Sequence, residues 1–234
     1  ITPVFFFDPI PEDKYPNSDA KIPYLENTPT SDPIKQLHLL QRPTELVLKY
    51  LDIPYYQAPR DAEADAAVYV KKGAGDMIVS SDHDALLYQA PTIIKKDRNT
   101  GCWKKISLKK TLEKNGINRR ELLNTAILTG TDENMGPLNG HIEEALEKVK
   151  QADDMDKFEQ AQNHNLRAPS GKIRHEPPSF SDLQDIFENP MISHNLWKDI
   201  SDNVDPSITD PNLSELRRYL SEMLKINGGA VDKL

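Results

Sequence analysis

Four carboxylates stand in two close pairs within residues 58–91, APRDAEADAAVYVKKGAGDMIVSSDHDALLYQAP: Asp61 with Glu63, and Asp82 with Asp84. Two acidic pairs brought to one place repel each other unless a positive charge lies between them, and hard divalent cations with oxygen ligands are the common solution. The chemistry these residue types offer is therefore the binding of divalent metal. Taken singly, each pair has a simpler reading, in which Asp61 and Glu63 cap a helix and Asp82 and Asp84 sit in a solvated loop.

The elements that must position these side chains are a helix and a strand. Pro59 punctuates, Asp61 is a good cap, and Ala62, Ala64, Ala66 and Ala67 favour helix, so the first turn is anionic. After a Lys-Lys-Gly-Ala-Gly turn, Met77 to Ser80 is a short apolar, β-branched run that reads as a buried strand of an α/β sheet. Asp82 and Asp84 follow at its carboxyl end, where open α/β sheets keep their ligands. In extended chain, residues two apart share a side, so both carboxylates are expected to face one point and His83 the other way.

The same stretch resembles the flap structure-specific endonuclease family of XPG-type 5′ nucleases. Its members carry a segment of the form APSEAEA, a lysine-rich turn, a strand, and S-x-D-x-D-x-L-x-F-G-x-P, which supply most of their metal ligands. Three further segments carry the resemblance. PVFFFD matches a family strand that ends in a metal-binding aspartate, which implies a ligand role for Asp8, although an Asp before a proline-rich turn is also an ordinary turn former. GINRRELLNTAILTGTD matches the segment ending in G-S/T-D and adds Asp132, which on its own reads as a cap. FENPMI and DPNLSELRRYL resemble the family's closing helices.

The resemblance implies a single PIN-like α/β domain over residues 1–234, with a mostly parallel central sheet flanked by helices and a degenerate helix-two-turn-helix at 129–150. It implies that Asp8, Asp61, Glu63, Asp82, Asp84 and Asp132 hold two Mg²⁺ ions, with Mn²⁺ as a substitute. The implied activity is that of a structure-specific 5′ flap endonuclease or exonuclease acting on branched or flapped DNA in replication and repair. A nuclease-derived module that binds nucleic acid or protein without cutting is the alternative. Asp61 stands where the family usually has a glutamate. The chain starts at ITPVFFFDPIP without an initiating methionine, and is expected to lack the family's first strand and one further metal-binding aspartate.

Composition sets the outer bounds. The chain has 234 residues, 28% charged, with a formal net charge of −8 and a single cysteine, Cys102. A single cysteine excludes an internal disulfide and fits a reducing compartment, so the protein is expected inside the cell, in the nucleus of a eukaryote or the cytoplasm and nucleoid of a prokaryote. The longest apolar run, Val4 to Phe7, is too short to cross a bilayer. The net negative charge argues weakly against nucleic acid, but Lys95 to Arg120 is locally basic and reads either as a solvated face or as a phosphate-contacting surface. Lys95, Lys96, Arg98 and, from the helix-two-turn-helix resemblance, Gly140 are the DNA-contact candidates. The family hairpin reads G-I-G-x-K/R-x-A, whereas this chain has Gly140, His141, Ile142, Glu143 and Glu144. No sliding-clamp motif of the Q-x-x-Φ-x-x-aromatic-aromatic form is present, and a monomer is expected.

Between these motifs, residues 9–33 are polar and proline-rich, an arch-equivalent loop in the resembling family. A helix is expected from near Ile34, carrying Leu37, Leu39 and Leu40, and Pro43 suits the first turn of a second, whose stripe is Leu46, Tyr50 and Leu51. Thr92 to Ile94 is a candidate strand before a turn at Asn99-Thr100-Gly101. Ser107 and Gly116 bracket a short helix, and Asn118 with Glu121 is a capping-box start for the next. Residues 151–178 read as a flexible insertion. Ser181 is expected to cap a helix over Asp182 to Phe187, and Leu213, Leu216, Leu220, Met223 and Leu224 to form one apolar helix face.

Overall fold

The computed structural model describes residues 3–9, 33–167, 178–192 and 212–223. The chain divides into two compact units, Ile1–Ala62 with Ile192–Leu234, and Glu63–Met191. The arch-equivalent loop, residues 168–177 of the expected insertion, and Leu224 of the expected apolar face lie outside the described residues, as does the side chain of Met223.

In the first unit, β1 (Phe5–Phe7) pairs in parallel with β2 (Tyr55–Gln57), placing Phe6 opposite Tyr56. The rings of those two residues meet edge to face at 5.8 Å. β1 was expected to be a buried strand. It is only partly so, with Phe5 40% exposed, because β2 is its sole strand partner among the described residues. Between the strands runs α1 (Pro33–Tyr50), a single helix where two were expected. Pro43 lies inside it, and the ring costs one intrahelical hydrogen bond without stopping the helix. Val47, Tyr50 and Leu51, at the end of α1 and just beyond it, pack on Leu216 and Leu220, the buried positions of the expected carboxyl-terminal apolar face.

In the second unit, α2 (from Ala62 to Lys71) leads to β3 (Ile78–Val79), which pairs in parallel with β4 (Thr92–Lys96). β4 in turn pairs antiparallel with β5 (Trp103–Ser107). The α/β class holds, and two of the three ladders are parallel, but the described strands form two short sheets. Between β3 and β4 lies α3 (Asp84–Leu87). Ser107 caps α4 (Leu108–Asn115), which closes on Gly116 at φ 60°. Asn118 and Glu121 form the expected capping box of α5 (Arg119–Thr129). α6 (Ile142–Lys150) follows a compact loop and packs on α5.

Two differences from the sequence reading concern the next elements. Residues 155–165, within the expected flexible insertion, form α7 (Met155–Gln162) and a 3-10 turn (Asn163–Asn165). Ser179, rather than Ser181, caps α8 (Phe180–Glu188), because its hydroxyl and Asp182 complete a capping box three residues apart. Ser181 sits inside the first turn. Phe180, Leu183 and Phe187 of α8 are buried with Leu123 and Ile127 of α5, and Phe187 lies 5.0 Å from the ring of Tyr88. α9 (Leu213–Arg218) and a π turn (Tyr219–Met223) belong to the first unit. Among the described residues no helix is long and apolar enough to cross a membrane.

Candidate functional site

At the carboxyl end of β3 the chain stops being extended. The Ser80 hydroxyl donates to Glu63 Oε1 and accepts from Asp82 N at 3.0 Å, while Asp82 Oδ1 accepts from His83 N at 2.6 Å and Asp84 N at 3.1 Å. An aspartate that binds the backbone two residues ahead closes a turn, and that local bond prevails beyond a strand of only two residues. The alternation expected for residues 82–84 is thus replaced by a turn, with His83 at φ −103°, ψ −9° and Asp84 opening α3. Asp82 and Asp84 nonetheless line the same cavity. Glu63, on α2, is tied to the end of β3 through Ser80. His83 Nε2 lies 3.1 Å from Lys95 Nζ, which also donates to Ser81 O at 3.1 Å. Burial, then the Lys95 charge, hold the His83 ring below its ordinary value against the opposing pull of Asp82.

Asp132 enters that cavity from the loop after α5. Thr131 and Asn134 exchange backbone hydrogen bonds of 3.0 and 3.2 Å, leaving Asp132 and Glu133 as the two residues of the turn. The Thr131 hydroxyl donates to Asn134 Oδ1 at 2.9 Å and accepts from Glu133 N at 3.1 Å, and the buried Asn134 amide donates to Ile127 O at 2.8 Å. Gly136 packs so tightly beneath this turn that a Cβ there would collide with Leu128 O and Gly130 N. Asp132 therefore stands at a braced turn and caps no helix; the residue before α6 is His141.

The cavity measures about 360 Å³, and its lining includes Asp82, Asp84, Asp132, Thr131 and Asn134 but no lysine or arginine. Carboxylate, hydroxyl and amide oxygens are hard donors, suited to Mg²⁺ or Mn²⁺ and not to soft thiolate-seeking metals. Among the described residues no three His, Cys, Asp or Glu side chains converge closely enough to hold a metal ion. The other two carboxylates belong to the first unit. Asp8 Oδ1 accepts from Ala62 N at 2.9 Å, next to Asp61, and Asp8 O accepts from the Gln41 amide at 3.1 Å. The first N–H of α2 is thus met by Asp8, a long-range bond, where Asp61 was expected to cap.

Of the basic candidates, Lys95, Lys96 and Arg98 lie on the hairpin of β4 and β5 and its turn. Asp97 fixes that turn, accepting from Asn99 N at 3.0 Å, Thr100 N at 2.9 Å and Lys104 Nζ, and these bonds hold its carboxyl well below the usual carboxylate range. Gly140 has φ 85°, and its own N–H is spent on Thr129 O at 2.9 Å. Glu144 pairs with Lys148 at 2.9 Å, one turn along α6.

Sequence reasoning missed Ser80, Thr131 and Asn134, the residues that hold the acidic loops. The signal for Ser80 was its place two residues before Asp82, the Ser-x-Asp spacing of a side chain-closed turn.

A sequence model of the XPG I-region matches residues 52–132, the span that holds Asp61, Glu63, Asp82, Asp84 and Asp132. Flap endonuclease 1 of Korarchaeum cryptofilum is 30% identical over 202 residues, which are 80% of this chain and 54% of that protein. The chain spans about half the length of the curated relatives it matches. Among solved structures, flap endonuclease-1 from Methanococcus jannaschii aligns over 99% of this chain and 73% of its own, with TM-score 0.66 and 22% identity. The Holliday junction-resolving enzyme GEN1, in complex with product DNA and Mg²⁺, aligns over 100% of this chain and 58% of its own, with TM-score 0.59 and 19% identity.

Proposed function

We propose that this chain, which belongs to the XPG-type 5′ nuclease family, is the acidic centre of a divalent-metal-dependent, structure-specific nuclease that hydrolyses a phosphodiester in branched or flapped DNA. The observation that carries the reading is the meeting of Asp82, Asp84 and Asp132 on one cavity that no lysine or arginine lines. Hard oxygen donors gathered on one cavity suit a divalent cation. Glu63, Asp82, Asp84 and Asp132 would hold divalent metal, Mg²⁺ or Mn²⁺, and Asp8 and Asp61 join the proposed two-ion ligand set by family resemblance alone. Bound there, such ions lower the pKa of water and neutralise charge developing on a phosphate.

The remaining work belongs to the chain. Ser80 holds Glu63, and the backbone N–H groups of His83 and Asp84 hold Asp82, which fixes the orientation of those two carboxylates. Lys95, Lys96 and Arg98 supply positive charge for the DNA backbone from the neighbouring hairpin. With Gly140 N engaged inside its own loop, the hairpin before α6 would meet DNA through other groups.

The test is cleavage of a 5′-flap duplex by the complete protein that contains this chain. Incision in Mg²⁺ and none in EDTA is expected; incision that persists in EDTA would remove metal from the mechanism, and flap binding without incision in Mg²⁺ or Mn²⁺ would favour a non-cutting module.

A further inference from the structure

We infer that Trp103 is a stacking platform for an unpaired base, flanked by Lys96 and Lys105 as phosphate contacts, so that the β4–β5 hairpin grips a single-stranded segment of the DNA. The inference rests on the reading above that the protein acts on branched DNA, and it assigns the unpaired strand to one surface of the second unit.

The register of the hairpin sets up the arrangement. Lys96 pairs with Trp103, Lys95 with Lys104, Ile94 with Lys105 and Ile93 with Ile106. Side chains alternate across a strand, so Ile93 and Lys95 share one face with Lys104 and Ile106, while Ile94 and Lys96 share the other with Trp103 and Lys105. The first face is anchored, since Ile93 is fully buried and Lys95 reaches back to Ser81 O. The second face is open: Trp103 is 62% exposed. Among the described residues Lys96 and Lys105 take part in no ion pair, whereas Lys104, on the opposite face, is paired with Asp97.

Isolated apolar residues on a surface are ordinary. This one differs in what surrounds it. The chain carries a net charge of −8, yet its exposed tryptophan stands directly across the ladder from one lysine and two residues from another. An aromatic face beside unpaired cations matches a nucleotide, whose base stacks while its phosphate is neutralised. The Asp97 turn, closed by three hydrogen bonds and Gly101 at φ 69°, holds the platform in place before any ligand arrives. A paired duplex hides its base faces, so the surface favours a strand whose bases are free.

The experiment uses the full chain with Trp197→Phe, which leaves Trp103 as the one tryptophan of the two present. A twelve-nucleotide oligo(dT) strand is expected to quench Trp103 emission, and a blunt duplex to leave it nearly unchanged. By fluorescence anisotropy of labelled oligo(dT), Trp103→Ala should weaken binding about tenfold with the salt slope preserved, and Trp103→Phe should retain most of the affinity. Lys96→Gln and Lys105→Gln should each reduce the magnitude of the salt slope by about 0.7. Wild-type affinity in Trp103→Ala, or equal quenching by duplex, overturns the platform. If that happens while the chain still binds the flap substrate, only this inference falls; if the chain binds neither oligo(dT) nor flap, the nuclease reading falls with it.

Discussion

Two acidic sites of the second unit show opposite treatments of buried or crowded carboxylate. Glu159 of α7 is 8% exposed and surrounded by donors. Arg120 reaches it bidentately at 2.8 and 2.7 Å, Asn124 at 2.6 Å and Gln184 at 2.9 Å, while Arg120 also pairs with Asp156. α5, α7 and α8 are joined through that one carboxylate. Asp82, Asp84 and Asp132 share a cavity that no lysine or arginine lines and whose uncharged polar lining includes Thr131 and Asn134. The two sites share a residue type and differ in what surrounds it: amide and guanidinium donors at Glu159, loop hydroxyl and amide groups at the cavity.

Asp84→Asn breaks the comparison at its functional end. Loss of ligand charge with shape retained should cut turnover more than a hundredfold, because even outer partners of a metal ligand are worth roughly 10–100-fold. The melting temperature should stay close to that of the wild type, which separates loss of a ligand from loss of the fold. Wild-type-like cleavage would take Asp84 out of the site.

Glu159→Gln and Arg120→Ala probe the structural end, where the reverse pattern is expected. Each should destabilise by about 2 kcal/mol, a figure tempered by the partial exposure of Arg120, and lower Tm by about 4–8 °C with turnover per folded molecule retained. The pH dependence follows from direction. Burial would raise the Glu159 pKa, but the hydrogen bonds from Arg120, Asn124 and Gln184 outweigh it and hold the group below its ordinary 4.5. A depressed folded pKa contributes stability that is complete above 4.5 and fades as pH falls through the folded value. The Tm gap between wild type and Glu159→Gln should therefore narrow in acid, and a gap constant from pH 7 to pH 3 would show that the charge is not what stabilises.

What could be read in advance follows from the range of each interaction. Ser107 and Gly116 each act within one turn at opposite ends of α4, and Asn118 with Glu121 across one turn of α5, and all form the caps their spacing indicates. The Asp82–Asp84 turn was misjudged because periodicity was extended past a strand only two residues long. Glu159 went unnoticed, and α7 with it, since its partners lie 25 to 39 residues away and leave no local pattern. Pro43 was given its usual weight as a helix punctuator, whereas the packing of Val47, Tyr50 and Leu51 on Leu216 and Leu220 rewards one continuous helix.

The smallest expected effect concerns the first turn of α6, where Glu143 and Glu144 offset the positive end of the helix dipole. The double change Glu143→Lys and Glu144→Lys gives up the exposed Glu144–Lys148 pair, which contributes little at the surface. It should steepen log K against log salt for duplex arms by at most about 0.9 per new phosphate contact. An unchanged slope would place this hairpin away from DNA.

Gly136 has a consequence for how the protein can vary. A Cβ at this position would point into backbone, so any side chain there would have to displace Leu128 O and Gly130 N, and with them the turn that presents Asp132. A survey of tolerated substitutions scored by activity alone would rank residue 136 with the acidic residues and count it as part of the chemistry. Its constraint is one of space, so the route by which this loop could drift runs through residues on its rim, such as the exposed Met135, and not through its hinge.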